Sequence, residues 1–176
     1  MLEEKRLIHE LKSGNKKALH QIYMEHKDTL LTIATALLHD NSAAEDVLHD
    51  VFVSFAGMAK GLELRGSLKS YLTTSVVNRV RDMYRKKRHH QVELDEARQV
   101  AGESGDPVRS AVFDEHFEQL GEALAQLPLE QRETIVLHLN ARMKFKEIAL
   151  MQGIPISTVQ GRYRYGLGKL KTMLKE

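Results

Sequence analysis

Apolar residues along this chain recur in steps of three and four, and β-branched residues fall mostly inside that helical period, so the pattern predicts an all-α fold. Over residues 15 to 39, Leu19, Ile22, Tyr23, His26, Leu30, Ile33, Ala34 and Leu37 make one stripe. The stretch HDNSAAED interrupts it. There Ser42 and Glu45 have the spacing of a capping box, in which each side chain satisfies a free amide of a new helix end. That helix is expected to run to about Ala59 with Ala44, Val47, Leu48, Val51, Phe55 and Met58 inward. Gly61 and Gly66 flank a short connection, and a third helix from about Ser67 to Arg88 turns Leu68, Leu72, Val76, Val80 and Met83 to the core.

From His89 the period lapses, and AGESGDP combines small, acidic and turn-forming residues. Residues 89–111 therefore read as a flexible linker. Beyond it, 112–126 and 129–139 form a helical pair separated by Leu127-Pro128, since proline suits a first helical turn and breaks an interior one. Two shorter helices, about 144–151 and 156–174, are joined by QGIP. The expected architecture is two small helical domains, 1–88 and 112–176, joined by that linker.

Composition narrows the function. The chain of 176 residues has no cysteine, which removes disulfides, thiolate metal sites and cysteine nucleophiles. The net charge of +2 is uninformative until its distribution is examined. The longest apolar stretches, such as IATALL at 33–38, fall far short of the ~20 residues that span a bilayer, and the N-terminus lacks the apolar core of a signal peptide. A soluble, cytoplasmic protein without membrane insertion is expected.

The C-terminal segment FKEIALMQGIPISTVQGRYRYGL has the layout of a helix-turn-helix. Ala149 allows a close helix crossing, Gly153 can take the positive φ of the turn, and Val159, Tyr163, Leu167, Leu170 and Leu174 would face the core. Ser157, Thr158, Gln160, Gly161, Arg162 and Arg164 are left on the surface from which a recognition helix reaches bases and phosphates. Arg142 to Leu174 holds seven Lys and Arg against one acid, a charge suited to a phosphate backbone. The glycine-rich GRYRYGLGKLK at 161–171 is not a phosphate loop. Leu167 follows Gly166 where such a loop needs its lysine, and the segment continues a helical stripe.

A second basic surface lies on the third helix, where six Lys and Arg fall between Arg79 and Arg88 with one acid. Tyr71, Asn78, Arg81, Asp82 and Arg85 occupy the side away from its core stripe, and aromatic and amide groups among cations suit unpaired bases. On the second helix Asp46, His49, Asp50 and Val53 share the face opposite the core. No HExxH, serine elbow or complete catalytic constellation is present among the nine histidines and the carboxylates, so neither enzyme activity, cofactor nor metal is expected.

Taken together, LLHDNSAAEDVLHDVFVSF, LKSYLTTSVVNRVRDMYRKKR, LAQLPLEQRETIVLHL and EIALMQGIPISTVQGRYRYGLGKLK resemble, in order and spacing, the extracytoplasmic-function sigma factors, the small initiation subunits of bacterial RNA polymerase. The resemblance implies that Asp46, His49, Asp50 and Phe52 contact core RNA polymerase. It implies that Leu64, Arg65, Lys69, Asn78, Arg79, Asp82 and Arg85 belong to the segment that melts and reads the −10 element. Thr158, Gln160, Gly161, Arg162 and Arg164 would read the −35 element, and an anti-sigma partner would be expected alongside promoter DNA. This chain departs from the family's usual residues at Tyr71, where tryptophan is frequent, at His49, where glutamine is usual, and at Gly161, where serine is common. The alternative is a stand-alone helix-turn-helix regulator, which accounts for the C-terminus but leaves Arg79 to Arg88 and AEDVLHDVF unassigned.

Overall fold

The structure, a computed structural model, describes the backbone of residues 2–64, 66–94 and 113–175, with side chains over 3–64, 66–87 and 118–175. Among these residues it is all-helical: α1 (Leu2–Lys12), α2 (Lys16–Leu38), α3 (Asn41–Met58), a 3₁₀ turn (Ala59–Gly61), α4 (Leu68–Leu94), α5 (Phe113–Ala125), α6 (Leu129–Leu139), α7 (Phe145–Gln152) and α8 (Ile156–Met173). Helices α1 to α4 form the first domain and α5 to α8 the second. Most of the expected linker, residues 95 to 111, lies outside the described residues.

The first domain is built around α2, whose Ile22, Leu30, Ile33, Ala34 and Leu37 are fully buried against α3 and α4. Helix α1 was not anticipated as an element, although its Leu7 and Leu11 enter the core. Asn15 starts α2 by accepting from the Lys17 amide, and His39 ends it in the left-handed region at φ 54°.

Several expectations are corrected. The cap of α3 is Asp40, whose carboxylate accepts from the Ala43 amide at 3.0 Å; Ser42 of the proposed Ser42–Glu45 box is already the second residue of the helix, and both side chains are exposed. Met58 is 53% exposed because the chain turns into the 3₁₀ segment there, and Ala59 takes the inward position. Helix α4 continues past Arg88 to Leu94.

In the second domain the turn between α7 and α8 is closed by Gly153 at φ 66°, as the sequence required. The buried stripe of α8 runs Val159, Tyr163, Gly166, Leu170 and Met173, the first, third and fourth fully inside. Leu167 and Leu174, expected inward, are exposed, because steps of four, three, four and three track a 3.6-residue helix and steps of four and four drift off it. A Cβ on Gly166 would sit 2.7 Å from Ile135 Cδ1, so glycine here is what lets α8 lie against α6. Nothing in the structure explains Gly168.

The two domains touch. Helices α5 and α6 pack against α2, and one continuous apolar core joins the first domain to Val136, Leu137, Ile148 and Val159 of the second.

Candidate nucleic-acid and polymerase interfaces

Helix α3 presents Asp46 and His49 to solvent and holds Asp50 half-buried, as their helical spacing dictates. Phe52 belongs elsewhere. It is 8% exposed and packs edge-on to Tyr23, with ring centroids 5.0 Å apart, and to Phe55 at 6.4 Å, so this candidate polymerase contact forms a buried floor and not part of the outward face. The floor is that of an open groove of about 660 Å³ between α2 and α3, lined with Leu19, Tyr23, Leu31, Leu48 and exposed Val53, and rimmed by Lys16, Lys27, Asp28 and Glu45. Sequence reasoning missed this groove, since its walls come from two helices whose outer residues each read as ordinary surface.

Helix α4 contributes the cationic face. Arg79 forms an ion pair with Asp50 of α3, and Asp46, His49, Asp50, Arg79, Met83 and Lys86 border a polar cleft of about 450 Å³. Residues assigned to polymerase and to DNA thus share one cleft. Asn78 and Arg85 are exposed, and Arg85 pairs with Asp82 one turn back at 2.8 Å. Tyr71 and Leu64 are half-buried and pack on the core, Tyr71 with its ring 6.0 Å from that of Phe55; neither stands free of the core as expected for Tyr71. Lys69 is half-buried, and its charge reaches His26, whose imidazole is held below its ordinary pKa chiefly by burial, with Glu25 and Glu4 opposing. Arg65 lies outside the described residues.

Arg81 does not point to open solvent. Its guanidinium forks onto the carboxylate of Glu133 in α6, Nε donating to Oε2 at 2.9 Å and Nη2 to Oε1. Glu133 is 2% exposed and also accepts from Gln152 at 2.7 Å. Its neighbour Arg132 is 6% exposed and donates to the Leu37 carbonyl, the Tyr84 hydroxyl, and the Ala125 and Leu127 carbonyls. Consecutive buried charges on a helix otherwise rich in apolar residues carry no sequence signal of their partners, which lie 52 and 95 residues away.

Helix α8 begins after Pro155 and exposes Ser157, Thr158, Gln160 and Arg164, with Gly161 and Arg162 half-buried. Around Gly161 no atom lies within 4 Å of where a Cβ would be, so internal packing does not account for this glycine. Arg162 donates to Gln152 at 3.3 Å, and Arg164 lies 5.4 Å from the centroid of the exposed Tyr165 ring. Among the described residues no cluster of histidine and carboxylate suits a metal ion, and no helix is long and apolar enough to cross a membrane.

This combination, a helix-turn-helix with a cationic recognition face beside a second domain with its own cationic helix, defines a two-domain helical DNA-binding protein. Residues 22–90 match the family model for sigma-70 region 2, and residues 117–170 that for sigma-70 region 4. The chain is 25% identical over 170 residues to the RNA polymerase sigma factor CnrH of Cupriavidus metallidurans, covering 92% of this chain and 89% of that protein. It is 26% identical over 168 residues to the sigma factor CarQ of Myxococcus xanthus, covering 94% of each. In fold it is similar to CnrH in complex with the cytosolic domain of CnrY, with a TM-score of 0.69 and 23% identity over 98% of this chain and 97% of that one. It is likewise similar to the sigma factor RpoE of Bartonella quintana, solved with the anti-sigma factor NepR, with a TM-score of 0.71 and 23% identity over 91% and 96%.

The chain belongs to the extracytoplasmic-function sigma factors and directs promoter-specific transcription. Sigma factors are initiation factors and not themselves catalysts. With region 2 matched over the first domain, a stand-alone regulator no longer accounts for the chain.

Proposed function

We propose that the two domains divide polymerase and promoter between them. Asp46, His49 and Asp50, together with the adjacent groove floored by Phe52, take the polymerase. Asn78, Arg79, Arg81, Asp82 and Arg85, with Leu64, Arg65, Lys69 and Tyr71 beside them, hold the opened −10 strand. Ser157, Thr158, Gln160, Gly161, Arg162 and Arg164 read the −35 duplex.

The observation that carries this reading is the outward row Ser157, Thr158, Gln160 and Arg164, exposed over a buried Val159 directly after a helix-turn-helix corner. Capturing an unstacked base on the first domain would offset an unstacking cost of a few kcal/mol, roughly. Chemistry on nucleotides is left to the polymerase, and this chain contributes none. The protein works in the cytoplasm, where polymerase and promoter are. An anti-sigma protein is its expected inhibitor, as CnrY and NepR accompany the two similar structures.

Run-off transcription with purified core polymerase tests the assignment. Arg162→Ala should lower promoter use and leave polymerase capture intact; lost capture would overturn the role of α8. Asp46→Ala with Asp50→Ala should impair capture in a pull-down, and unchanged capture would remove α3 from the polymerase interface.

A further inference from the structure

Helix α1 precedes residues 22–90, the stretch matched to sigma-70 region 2, and none of the candidate interface residues lies on it. It nevertheless holds both ends of the connection that leads into α4. Leu7 and Leu11 share one buried core with Ala59 of the 3₁₀ turn and with Leu62 just beyond it. At the other end the Leu68 amide, the first of α4, donates to the carboxylate of Glu4. Glu4, Leu7 and Leu11 follow steps of three and four along α1, so one face of one helix makes both attachments.

A helix start needs partners for its free amides, and α4 already has a local one. The Ser67 hydroxyl accepts from the Ser70 amide at 3.1 Å. Glu4 is therefore not what begins the helix. A carboxylate 64 residues away along the chain adds what a local cap cannot, a fixed position of the first turn of α4 against α1. The helix dipole favours an anion at this end, which strengthens the bond over a neutral equivalent.

The same corner carries residues assigned to the −10 strand. Leu64 lies before the junction and Lys69 and Tyr71 just after it, all three half-buried. Glu4 and Lys69 each lie close enough to His26 of α2 for their charges to act on its imidazole, so α1, α2 and α4 meet here.

We infer that Glu4 is a positioning residue for the −10 element: by holding the Leu68 amide it sets where Leu64, Lys69 and Tyr71 stand against the opened strand. This rests on the reading that those three residues hold that strand. Leu68 is 1% exposed, so the core fixes its side chain while Glu4 fixes its backbone. Ordering a chain segment at the moment of binding costs free energy, and a junction already held in place captures its strand with less loss.

The test uses the full chain with core polymerase on a promoter from which the parent yields a run-off transcript. Permanganate reactivity of unpaired thymines reads −10 opening, a pull-down reads core capture, and circular dichroism checks folding. Glu4→Ala removes the acceptor. Glu4→Asp keeps the charge but withdraws it by one methylene, whereas Glu4→Gln keeps an oxygen within reach of the amide. These two carry the comparison should Glu4→Ala fail to fold. Asp40→Ala, which removes the cap of α3 instead, is the control for stability alone.

Core capture should match the parent in all four variants. Opening should fall about fivefold in Glu4→Ala and Glu4→Asp, at the lower end of coupling between sites, and recover most of the way in Glu4→Gln. Asp40→Ala should open the promoter as the parent does. Parent-level opening by folded Glu4→Ala or Glu4→Asp would overturn the assignment, as would the absence of recovery in Glu4→Gln. Equal losses in Glu4→Ala and Asp40→Ala would overturn it too, reducing Glu4 to a structural cap. Parent-level opening by Lys69→Ala and Tyr71→Ala would instead sink the −10 reading on which the inference rests.

Discussion

Helix α8 carries three interior glycines whose replacement by alanine gives the same intrinsic gain, roughly 1 kcal/mol each, in three different surroundings. At Gly168 nothing lies within 4 Å of the new Cβ, so the full gain should appear, raising the melting temperature by about 2–4 °C for a chain of this size. At Gly166 the Cβ would stand 2.7 Å from Ile135 Cδ1 and 3.3 Å from Gln131 Cβ. Carbon atoms prefer about 3.5–4.0 Å, so Ile135 would have to retreat by close to ~1 Å. Ile135 is itself buried, and overpacking of this kind costs about 1–3 kcal/mol. Set against the helix gain, Gly166→Ala should be between neutral and about 2 kcal/mol destabilising. The decisive measurement is a cycle by urea denaturation with Ile135→Val, which deletes the offending Cδ1. In that background Gly166→Ala should recover most of its helix gain, a coupling of about 1 kcal/mol or more. Equal stabilisation by Gly166→Ala and Gly168→Ala, or a cycle with no coupling, would refute the claim that Gly166 exists to seat α8 on α6.

Asp40→Ala should cost about 1 kcal/mol through loss of the α3 cap, while Ser42→Ala should stay within about 0.5 kcal/mol; thermal melts distinguish the two. Arg132→Met strands the Leu37, Ala125 and Leu127 carbonyls and the Tyr84 hydroxyl, and should lower stability by about 2–4 kcal/mol in urea titration. Because His26 has a lowered folded pKa, its neutral form stabilises the fold above the unfolded value of 6.5, and that contribution is lost as pH falls through 6.5 towards the folded pKa. The stability of His26→Gln should accordingly fall less than that of the parent over that window, and parallel curves would reject the assignment.

The helices from α2 onwards were legible because one apolar stripe per helix must be buried, and Ile22, Ile33, Leu37, Val47 and Val76 announce it by spacing alone. The corner glycine was legible because its conformation, φ 66°, is one that few other residues accept. Helix α1 escaped notice since, among its described side chains, Leu7 and Leu11 are the two buried positions amid many charges. The cap of α3 was misplaced because Asp40 and Ser42 are both good caps, and which one is used depends on where α2 lets the chain go. At the interfaces, spacing placed Asp46, His49, Asn78 and Ser157 on outward faces. It could not reveal that Phe52 would be roofed by Tyr23, nor that Glu133 would seize Arg81, because such partners are chosen by tertiary packing.

The contact between Arg132 and the Leu37 carbonyl joins groups 95 residues apart. At a synthesis rate of about 5–20 residues per second, roughly 5–20 s pass between the making of one side and of the other. Throughout that interval the nascent first domain carries the carbonyl end of α2 and its apolar neighbours without their cover. A chaperone survey on stalled ribosomes should find that face occupied in chains ending before α6 and released in chains that extend beyond it.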